Sequence, residues 1–388
     1  MSAPPRSLRI AVLNRTFSPA AGGAERYSIA LVEHLADRHE IHVFAQSINH
    51  HWPGVTYHRV SMPLRKPRWI NQLWFATVTW WATRNGFDIV HSHENTWHGD
   101  VQTVHVLPIK HNLFFGLEGW SRFLRQVKVS TSPRLLTYLW LERMRYAWRK
   151  GRAVVVISPS LRAFFGEAYP QALPMTSLIT PGIELPPVAA TPAARQDARQ
   201  LLGLPQDSRC VLFVGNDFRK KGLGTLLQAM TSLPENVVLA VVGTSAQLPH
   251  FRREAELAGV SARVFFLGAL LDVGAAYRAA DCLAHPTLED TFAMVVLEAM
   301  AWGLPAVVSS VVYCGISGLL QNGVEALVLD NPQDAPALAA SIKRVIEDGE
   351  LKADLGKNAR AFAERFEWSD IAALQENLYW SVRVSKDA

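Results

Sequence analysis

The residues best suited to chemistry lie in two stretches of the second half of the chain. In the first, Arg219-Lys220-Lys221 stands after the apolar run Cys210–Gly215 and just ahead of Leu223–Leu233, an apolar run at helical spacing. Cations at a helix start suit a diphosphate, because the free N–H groups and partial positive charge of a first turn add to the side chains. The glycine spacing of a Walker loop is missing, as is the Ser or Thr after its lysine. In the second stretch, Asp281–Ala284 reads as a short buried strand. Phe292–Trp302 has the length and composition of one helix, stopped by Gly303-Leu304-Pro305. Its apolar residues lie nearly all round, so it should be well buried, yet Glu298 sits in its middle. A carboxylate there is costly unless something pairs with it. Eight residues earlier, at the loop-to-helix junction, stands Asp290, with Glu289 beside it. The amides of Ala293, Met294 and Val295 offer a seat for an anion, and the acids offer acceptors for hydroxyls. A nucleotide sugar has both groups. The plainer alternatives are a surface glutamate at Glu298 and a solvated charge run at Arg219–Lys221.

The first half offers weaker candidates. Gly22-Gly23 follows the strand-like run Leu8–Leu13 in a small-residue loop, Pro19–Gly23, where the backbone can approach a ligand closely; a plain turn is equally consistent. Past the buried run Phe87–His91 come His93, Glu94 and Asn95, and His105 stands near the end of Val101–Val106. Polar residues just past strand ends lie at the carboxyl edge of a sheet, where such folds bind ligands. A zinc site from His91, His93 and His98 is disfavoured, because no further ligand has standard spacing.

These residues need a scaffold. Leu8–Leu13, the glycine loop, the helical pattern Ala24–Asp37 and the run Glu40–Ala45 open a doubly wound sheet. The pattern restarts at Cys210–Gly215 and continues through Val237–Gly243, Val264–Gly268, Asp281–His285 and Ala306–Ser310. The expected fold is α/β, two facing Rossmann-like domains with a cleft between them. The expected division is an N-terminal domain over 1–183, a Pro- and Ala-rich linker over 184–207 with a short helix near Ala193–Leu202, a C-terminal domain over 208–366, and a last helix over 367–388 that packs back on the first domain.

The pair Asp290 and Glu298, separated by seven residues, resembles the signature of the retaining glycosyltransferases of family four, except that the first acid there is normally glutamate. Within that family the likeness is to glucosyltransferases of the bacterial lipopolysaccharide core. It extends over almost the whole chain and is most specific at 211–222 and 285–305. The resemblance implies the GT-B fold and transfer of a hexose from a nucleotide sugar, uridine-linked, to a sugar hydroxyl of a lipid-linked glycan. It implies retention of anomeric configuration with neither metal nor cofactor. It places Glu298 on the ribose, Asp290 and His105 by the transferred sugar, Gly22 and Gly23 against the donor phosphates and sugar, and Lys221, with Lys220 where an arginine is usual, on the leaving diphosphate. No Asp-x-Asp metal motif occurs in the chain. Two rivals stay open: a nucleotide-sugar epimerase on the same scaffold, and a non-enzymatic nucleic-acid-binding protein. A nicotinamide dehydrogenase is disfavoured by the lack of Gly-x-Gly-x-x-Gly after the first strand.

Composition bounds the remainder. The three cysteines have no paired spacing and fit a reducing compartment. No signal peptide is evident, and the longest apolar-rich segment, Trp69–Ala82, is short of the ~20 residues of a membrane span. The net charge of +5 hides an asymmetry. Residues 1–180 carry 21 Lys and Arg against 10 Asp and Glu, a balance of +11, and the remainder carries 18 against 24. Lys110–Arg152 alone holds ten cations and two glutamates interleaved with aromatic residues. This reads as an amphipathic helical segment lying on an anionic membrane, with Arg122, Arg125 and Lys128 facing the lipid. The expected location is the cytoplasm, peripheral on the inner face of the cytoplasmic membrane, with no nucleic-acid partner. Snorkelling arginines on a core helix are the alternative.

Overall fold

The computed structural model describes residues 7–19, 21–64, 66–186 and 191–388. Its contacts divide the chain into two units, Met1–Gly182 with Trp368–Ala388, and Ile183–Glu367. Each is built on one parallel sheet. The first sheet has seven strands in the order Val55–Arg59, Glu40–Ala45, Arg9–Leu13, Ile89–Ser92, Val101–Val104, Ala153–Val156 and Thr176–Leu178. The second has six, in the order Val264–Gly268, Val237–Val242, Arg209–Val214, Cys282–His285, Ala306–Ser309 and Leu327–Leu329. Helices cover both faces, so the central strands are buried along their length. The core of the second unit gathers Val211, Phe213, Leu239 and Val241 from the strands with Leu226, Met230, Leu338 and Ile342 from the helices.

Chain order sets where ligands can bind. In the first sheet Arg9–Leu13 pairs with Glu40–Ala45 on one side and with Ile89–Ser92 on the other; in the second, Arg209–Val214 pairs with Val237–Val242 and with Cys282–His285. The winding direction reverses between those neighbours. At such a switch point the loops after the two strands part and leave a crevice at the carboxyl edge. The loops holding Gly22 and Gly23, and those holding Lys221 and Asp290, are the ones that leave these edges.

Several expectations need correction. The 184–207 stretch is no linker: it belongs to the second unit, although 187–190 lie outside the described residues, as does Ala20 of the glycine loop. Its helix Pro192–Leu201 is anchored by Arg199, whose Nη2 donates to Asp281 Oδ2 at 2.8 Å and whose Nε donates to Ala279 O at 3.0 Å. The segment Lys110–Arg152 forms three helices, Ile109–Phe114, Gly119–Ser130 and Pro133–Arg145. Pro133 lacks an N–H and stands at the first position of the third, so the pattern has to break there. Within Arg68–Thr83 the buried face mixes Phe75 and Ala76 with the polar Asn71, Gln72, Thr79 and Thr83. Gln72 Nε2 donates to Asn95 O at 2.9 Å, Asn71 Oδ1 accepts from Leu64 N at 3.3 Å, and Trp74, Trp80 and Trp81 are exposed.

The last helix, Trp368–Asp387, packs in the first unit. A Cβ on Gly182 would lie 2.6 Å from Trp368 Cδ2, and Tyr379 Oη is hydrogen-bonded to His91 Nδ1 at 2.6 Å.

Candidate active site

The two loops of the second unit meet because Gly222 lets them. Gly222 has φ +78, and a Cβ there would come 1.9 Å from Pro286 O. Across this contact, Leu288 N and Thr287 Oγ1 both donate to Lys220 O, at 2.7 and 3.1 Å, and Ser309 Oγ donates to Thr287 O at 2.8 Å. The backbones of the lysine loop and the acid loop are thereby fixed to each other before any side-chain pairing.

On this frame Lys221 Nζ lies 2.6 Å from Asp290 Oδ2 and Lys220 Nζ lies 3.1 Å from Glu289 Oε1. The two pairs differ in kind. Lys220 and Glu289 are each about half exposed, a geometry worth about 0–1 kcal/mol. Lys221 and Asp290 are 22% and 16% exposed, and Asp290 is further committed. Its Oδ1 accepts from Ala293 N at 2.9 Å and Phe292 N at 3.3 Å, and its Oδ2 also faces His285 Nε2 at 3.3 Å. Burial alone would raise the Asp290 carboxyl. The His285 hydrogen bond and the Lys221 ammonium outweigh it and hold the carboxyl well below the usual range. Burial pushes the His285 ring below its ordinary value. At neutral pH it is an uncharged donor to Asp290.

This corrects the reading of the helix start. The helix runs Met294–Ala301 and not from Phe292, because Asp290 draws the Phe292 and Ala293 amides back onto its own oxygen. Ala293 is left in the left-handed region at φ 73, the one non-glycine residue at positive φ among the described residues, at a cost of about 1 kcal/mol. The Ala293 amide is therefore spent within the protein. The half-exposed face of the helix is Met294, Val295 and Glu298, and its other residues are buried. Glu298 Oε2 accepts a 2.6 Å hydrogen bond from Tyr277 Oη, which answers the cost of a carboxylate in an apolar helix. Asp290 is turned inward, with both oxygens engaged. Sequence reasoning missed Tyr277 and His285 as site residues. Tyr277 carries no local signal, but a histidine closing an apolar strand just before the acid loop is one that could have been followed.

In the first unit, Gly22 is extended, with φ 169, at the start of helix Gly23–Leu35. A Cβ on Gly23 would meet nothing within 4 Å. His105 follows the strand Val101–Val104; its Nε2 is hydrogen-bonded to His93 Nδ1 at 2.9 Å, and the Tyr27 ring stands edge-on at 5.2 Å. Burial, with Arg145 nearby, pushes His105 down to about 3. It is uncharged at neutral pH and can orient a hydroxyl but cannot serve as an acid. His91 is engaged on both ring nitrogens, by Tyr379 and by Thr103, and His98 lines a separate cavity. Among the described residues no three metal-ligating groups come together.

Comparison with known proteins decides the family. Residues 21–185 match the model for Glycosyltransferase Family 4, and residues 194–362 match the model for Glycosyl transferases group 1. The chain is a GT-B glycosyltransferase. It is 34% identical over 212 residues to a D-inositol 3-phosphate glycosyltransferase of Xylanimonas cellulosilytica, covering 52% of this chain and 50% of that protein. It is 28% identical over 239 residues to the lipopolysaccharide glucosyltransferase WaaG of Escherichia coli K12, covering 60% of this chain and 63% of WaaG. These matches span between half and two thirds of the curated relatives' own length. The crystal structure of WaaG, a glycosyltransferase involved in lipopolysaccharide biosynthesis, superposes with a TM-score of 0.81 at 23% identity over 95% of this chain and 99% of that one. The structure of Anabaena HepE in complex with UDP-glucose superposes at 0.75 and 20% identity, over 96% and 100% of the two chains. At these identities the superpositions establish the fold of the glycosyltransferase.

Proposed function

We propose that this glycosyltransferase moves a hexose from a UDP-linked sugar to a sugar hydroxyl of a lipid-linked glycan, of lipopolysaccharide-core type, with retention and without a divalent metal. The observation that carries the donor reading is the junction of the two switch-point loops. Gly222 seats the Lys220-Lys221 loop against Pro286, which places two ammonium groups beside the acid loop that leads into the helix bearing Glu298. UDP-glucose in the HepE complex and lipopolysaccharide biosynthesis for WaaG support the donor and the acceptor class.

In the reaction, the bond from the sugar C1 to the diphosphate oxygen breaks and the acceptor oxygen bonds to C1 on the same face. The acceptor proton passes to the departing phosphate, so no side chain is required as base. Charge builds on the diphosphate, and preorganised cations stabilise it where it develops. Lys221, Lys220 and the first-turn amides of Met294 and Val295 fill that role. In the free protein Asp290 holds Lys221 in place; it acts as a positioning residue, with Glu289 the more accessible acid toward the sugar. Glu298, oriented by Tyr277, takes the ribose hydroxyls. His105 orients the transferred sugar. Calorimetric unfolding with a panel of nucleotide sugars tests the reading, since a donor that binds the folded state raises Tm by mass action. UDP-hexoses should raise Tm and NAD should not. Equal or absent shifts for all would remove the donor assignment. Transfer should also survive a strong chelator, and activity lost to it and restored by magnesium would overturn the metal-free mechanism.

Replacing Glu298 by alanine should raise the donor KM and lower kcat/KM by roughly 30- to 150-fold, the scale of one charged hydrogen bond of about 2–3 kcal/mol. Tyr277→Phe should produce a smaller loss of the same kind. Unchanged donor KM in Glu298→Ala would place the ribose elsewhere.

The acceptor side rests on the helix Gly119–Ser130. Val129 is its one buried residue. Trp120, Phe123, Leu124 and Val127 fall at helical spacing and are 45–71% exposed. An apolar face turned to solvent beside Arg122, Arg125 and Lys128 suits an anionic leaflet, where each cation contributes about 1 kcal/mol. No described helix is long and apolar enough to cross a membrane, and the proposed attachment is peripheral, on the cytoplasmic face. Changing Arg122, Arg125 and Lys128 to glutamine should weaken co-sedimentation with anionic vesicles by roughly 10- to 100-fold at low salt. Turnover on a soluble acceptor fragment should be unchanged. Equal binding of the original protein to neutral and anionic vesicles would sink the electrostatic part.

A further inference from the structure

A second charged cavity, of about 270 Å³, opens at the opposite edge of the first sheet. Three segments reach it, each from the amino ends of strands. Arg84 follows the helix Arg68–Thr83, His98 lies in the crossover before Val101–Val104, and Arg149, Lys150 and Arg152 immediately precede Ala153–Val156. The candidate site residues of this unit, Gly22, Gly23 and His105, follow the carboxyl ends of strands, so the cavity is separate from them.

The walls are built for an anion. Among the described residues Asp100 is the single acid lining the cavity, and it is already engaged by Val90 N at 2.8 Å and Lys386 Nζ at 3.0 Å. Arg84, Arg149 and Lys150 have no carboxylate partner among the described residues. Arg152 is 8% exposed; its Nη atoms donate to the carbonyls of Met144, Arg145, Ala147 and Trp97, while its Nε has no partner among the described residues. His98 is 6% exposed, and neither of its ring nitrogens has a partner among the described residues. Buried polar groups left this way are costly unless something answers them. The segments are also brought together by design. Gly99 at φ +114 and Gly151 at φ +70 adopt conformations that side chains resist, and a Cβ on Gly151 would lie 2.4 Å from Lys386 Cγ.

We propose that this cavity is a binding site for a phosphate group, held by His98 and Arg152 in its depth and by Arg84, Arg149 and Lys150 at its rim. Several cations around one pocket match a phosphate's multiple charged oxygens, and guanidinium groups engage them in pairs. The volume is below that of pockets that enclose drug-sized ligands, so the ligand is a small phosphate or the phosphate of a headgroup, not a nucleotide sugar. Burial and the neighbouring Arg152 and Arg149 push His98 down to about 3, so its ring is uncharged at neutral pH and presents one N–H to the anion. The phosphate can come from a soluble phosphomonoester or from a lipid headgroup at the membrane.

Inorganic phosphate is the probe. It is titrated by calorimetry into the full chain carrying Lys221→Ala, so that the donor site contributes little, at constant ionic strength in chloride. One saturable site of about millimolar affinity or tighter is expected, together with a shift of the His98 ring signals in NMR, assigned with His98→Gln. Arg149→Gln with Lys150→Gln, both on the exposed rim, should weaken binding tenfold or more with an unchanged circular dichroism spectrum and, on the otherwise unaltered chain, unchanged hexose transfer. Absence of saturable phosphate binding, or binding indifferent to these changes, overturns the proposal. Vesicles of phosphatidylcholine with and without phosphatidic acid distinguish the sources. Phosphatidic acid binding that depends on Arg149 and Lys150 and is displaced by inorganic phosphate identifies a lipid headgroup; phosphate binding with no such dependence of the vesicles identifies a soluble ligand. Both results support the site.

Discussion

Lys221→Ala should lower kcat for hexose transfer by about 100- to 1000-fold, the effect of removing one preorganised group that stabilises developing charge, roughly 2.7–4 kcal/mol. Lys220→Ala should cost far less. The difference follows from their settings: Lys220 is 54% exposed and pairs across open solvent with Glu289, whereas Lys221 is largely enclosed and held at 2.6 Å from Asp290. Initial-rate kinetics with a labelled donor on the three proteins checks the order. Near-wild-type turnover in Lys221→Ala, or a larger loss in Lys220→Ala, would mean that the diphosphate does not sit at this junction.

The same substitution should register in stability, and the pH dependence identifies the cause. Asp290 has its carboxyl held well below the ordinary value in the folded protein. A depressed group contributes stability above its unfolded value, near 4, and that contribution is lost as pH falls through the folded value. Removing Lys221 leaves Asp290 enclosed with the uncharged His285 as its remaining side-chain partner. The variant should be less stable at pH 7 by about 1–3 kcal/mol, less than for a fully buried pair because Lys221 retains some solvent contact. The gap in Tm between the two proteins should be widest at neutral pH and narrow below about pH 4. A gap independent of pH would show that Lys221 stabilises by packing alone. Assaying turnover well below either Tm separates the catalytic loss from unfolding.

Most of the scaffold was legible because a doubly wound sheet buries its central strands on both faces. Val237–Val242 and Ala306–Ser309 announce themselves as continuous apolar runs. Two of the edge strands were not legible for the complementary reason. Val55–Arg59 is half exposed and contains Thr, Tyr and His, and Leu327–Leu329 is three residues long. The candidate site was legible as composition and opaque as geometry. Lysines after a strand and acids before a helix can be read in one dimension. That Asp290 turns inward cannot, because its partners Lys221 and Tyr313 belong to distant segments. Nor does the chain mark the left-handed residue at the helix start, since position 293 is alanine where glycine would have flagged it. The exposed face of Gly119–Ser130 shows a further limit. Periodicity identifies an apolar stripe but not whether the protein or a membrane covers it, and here the protein does not.

A pair of glycine substitutions separates glycine as scaffold from glycine as ligand contact. Gly222→Ala should lower Tm by roughly 5–15 °C. The left-handed conformation costs an L-residue about 1–2 kcal/mol, and a backbone contact of 1.9 Å to Pro286 O must be relieved by moving one of the two loops, a further 1–3 kcal/mol or more. For a unit of this size each kcal/mol is worth about 2–4 °C. Whichever loop moves, Lys220 and Lys221 part from the acid loop, so the UDP-sugar stabilisation of the folded state should vanish with the Tm. Gly23→Ala is the counterpart. Its Cβ would enter open space and its φ is not in the left-handed region, so Tm should stay within about 1 °C. If the donor's phosphates lie against this backbone, the added methyl occupies their place and the donor KM should rise about tenfold while kcat changes little. Differential scanning calorimetry with and without UDP-sugar, run beside initial-rate kinetics, reads both. A Gly222→Ala protein with unchanged Tm would contradict the packing of the two loops, and a Gly23→Ala protein with unchanged KM would remove the first unit's glycine loop from the donor site.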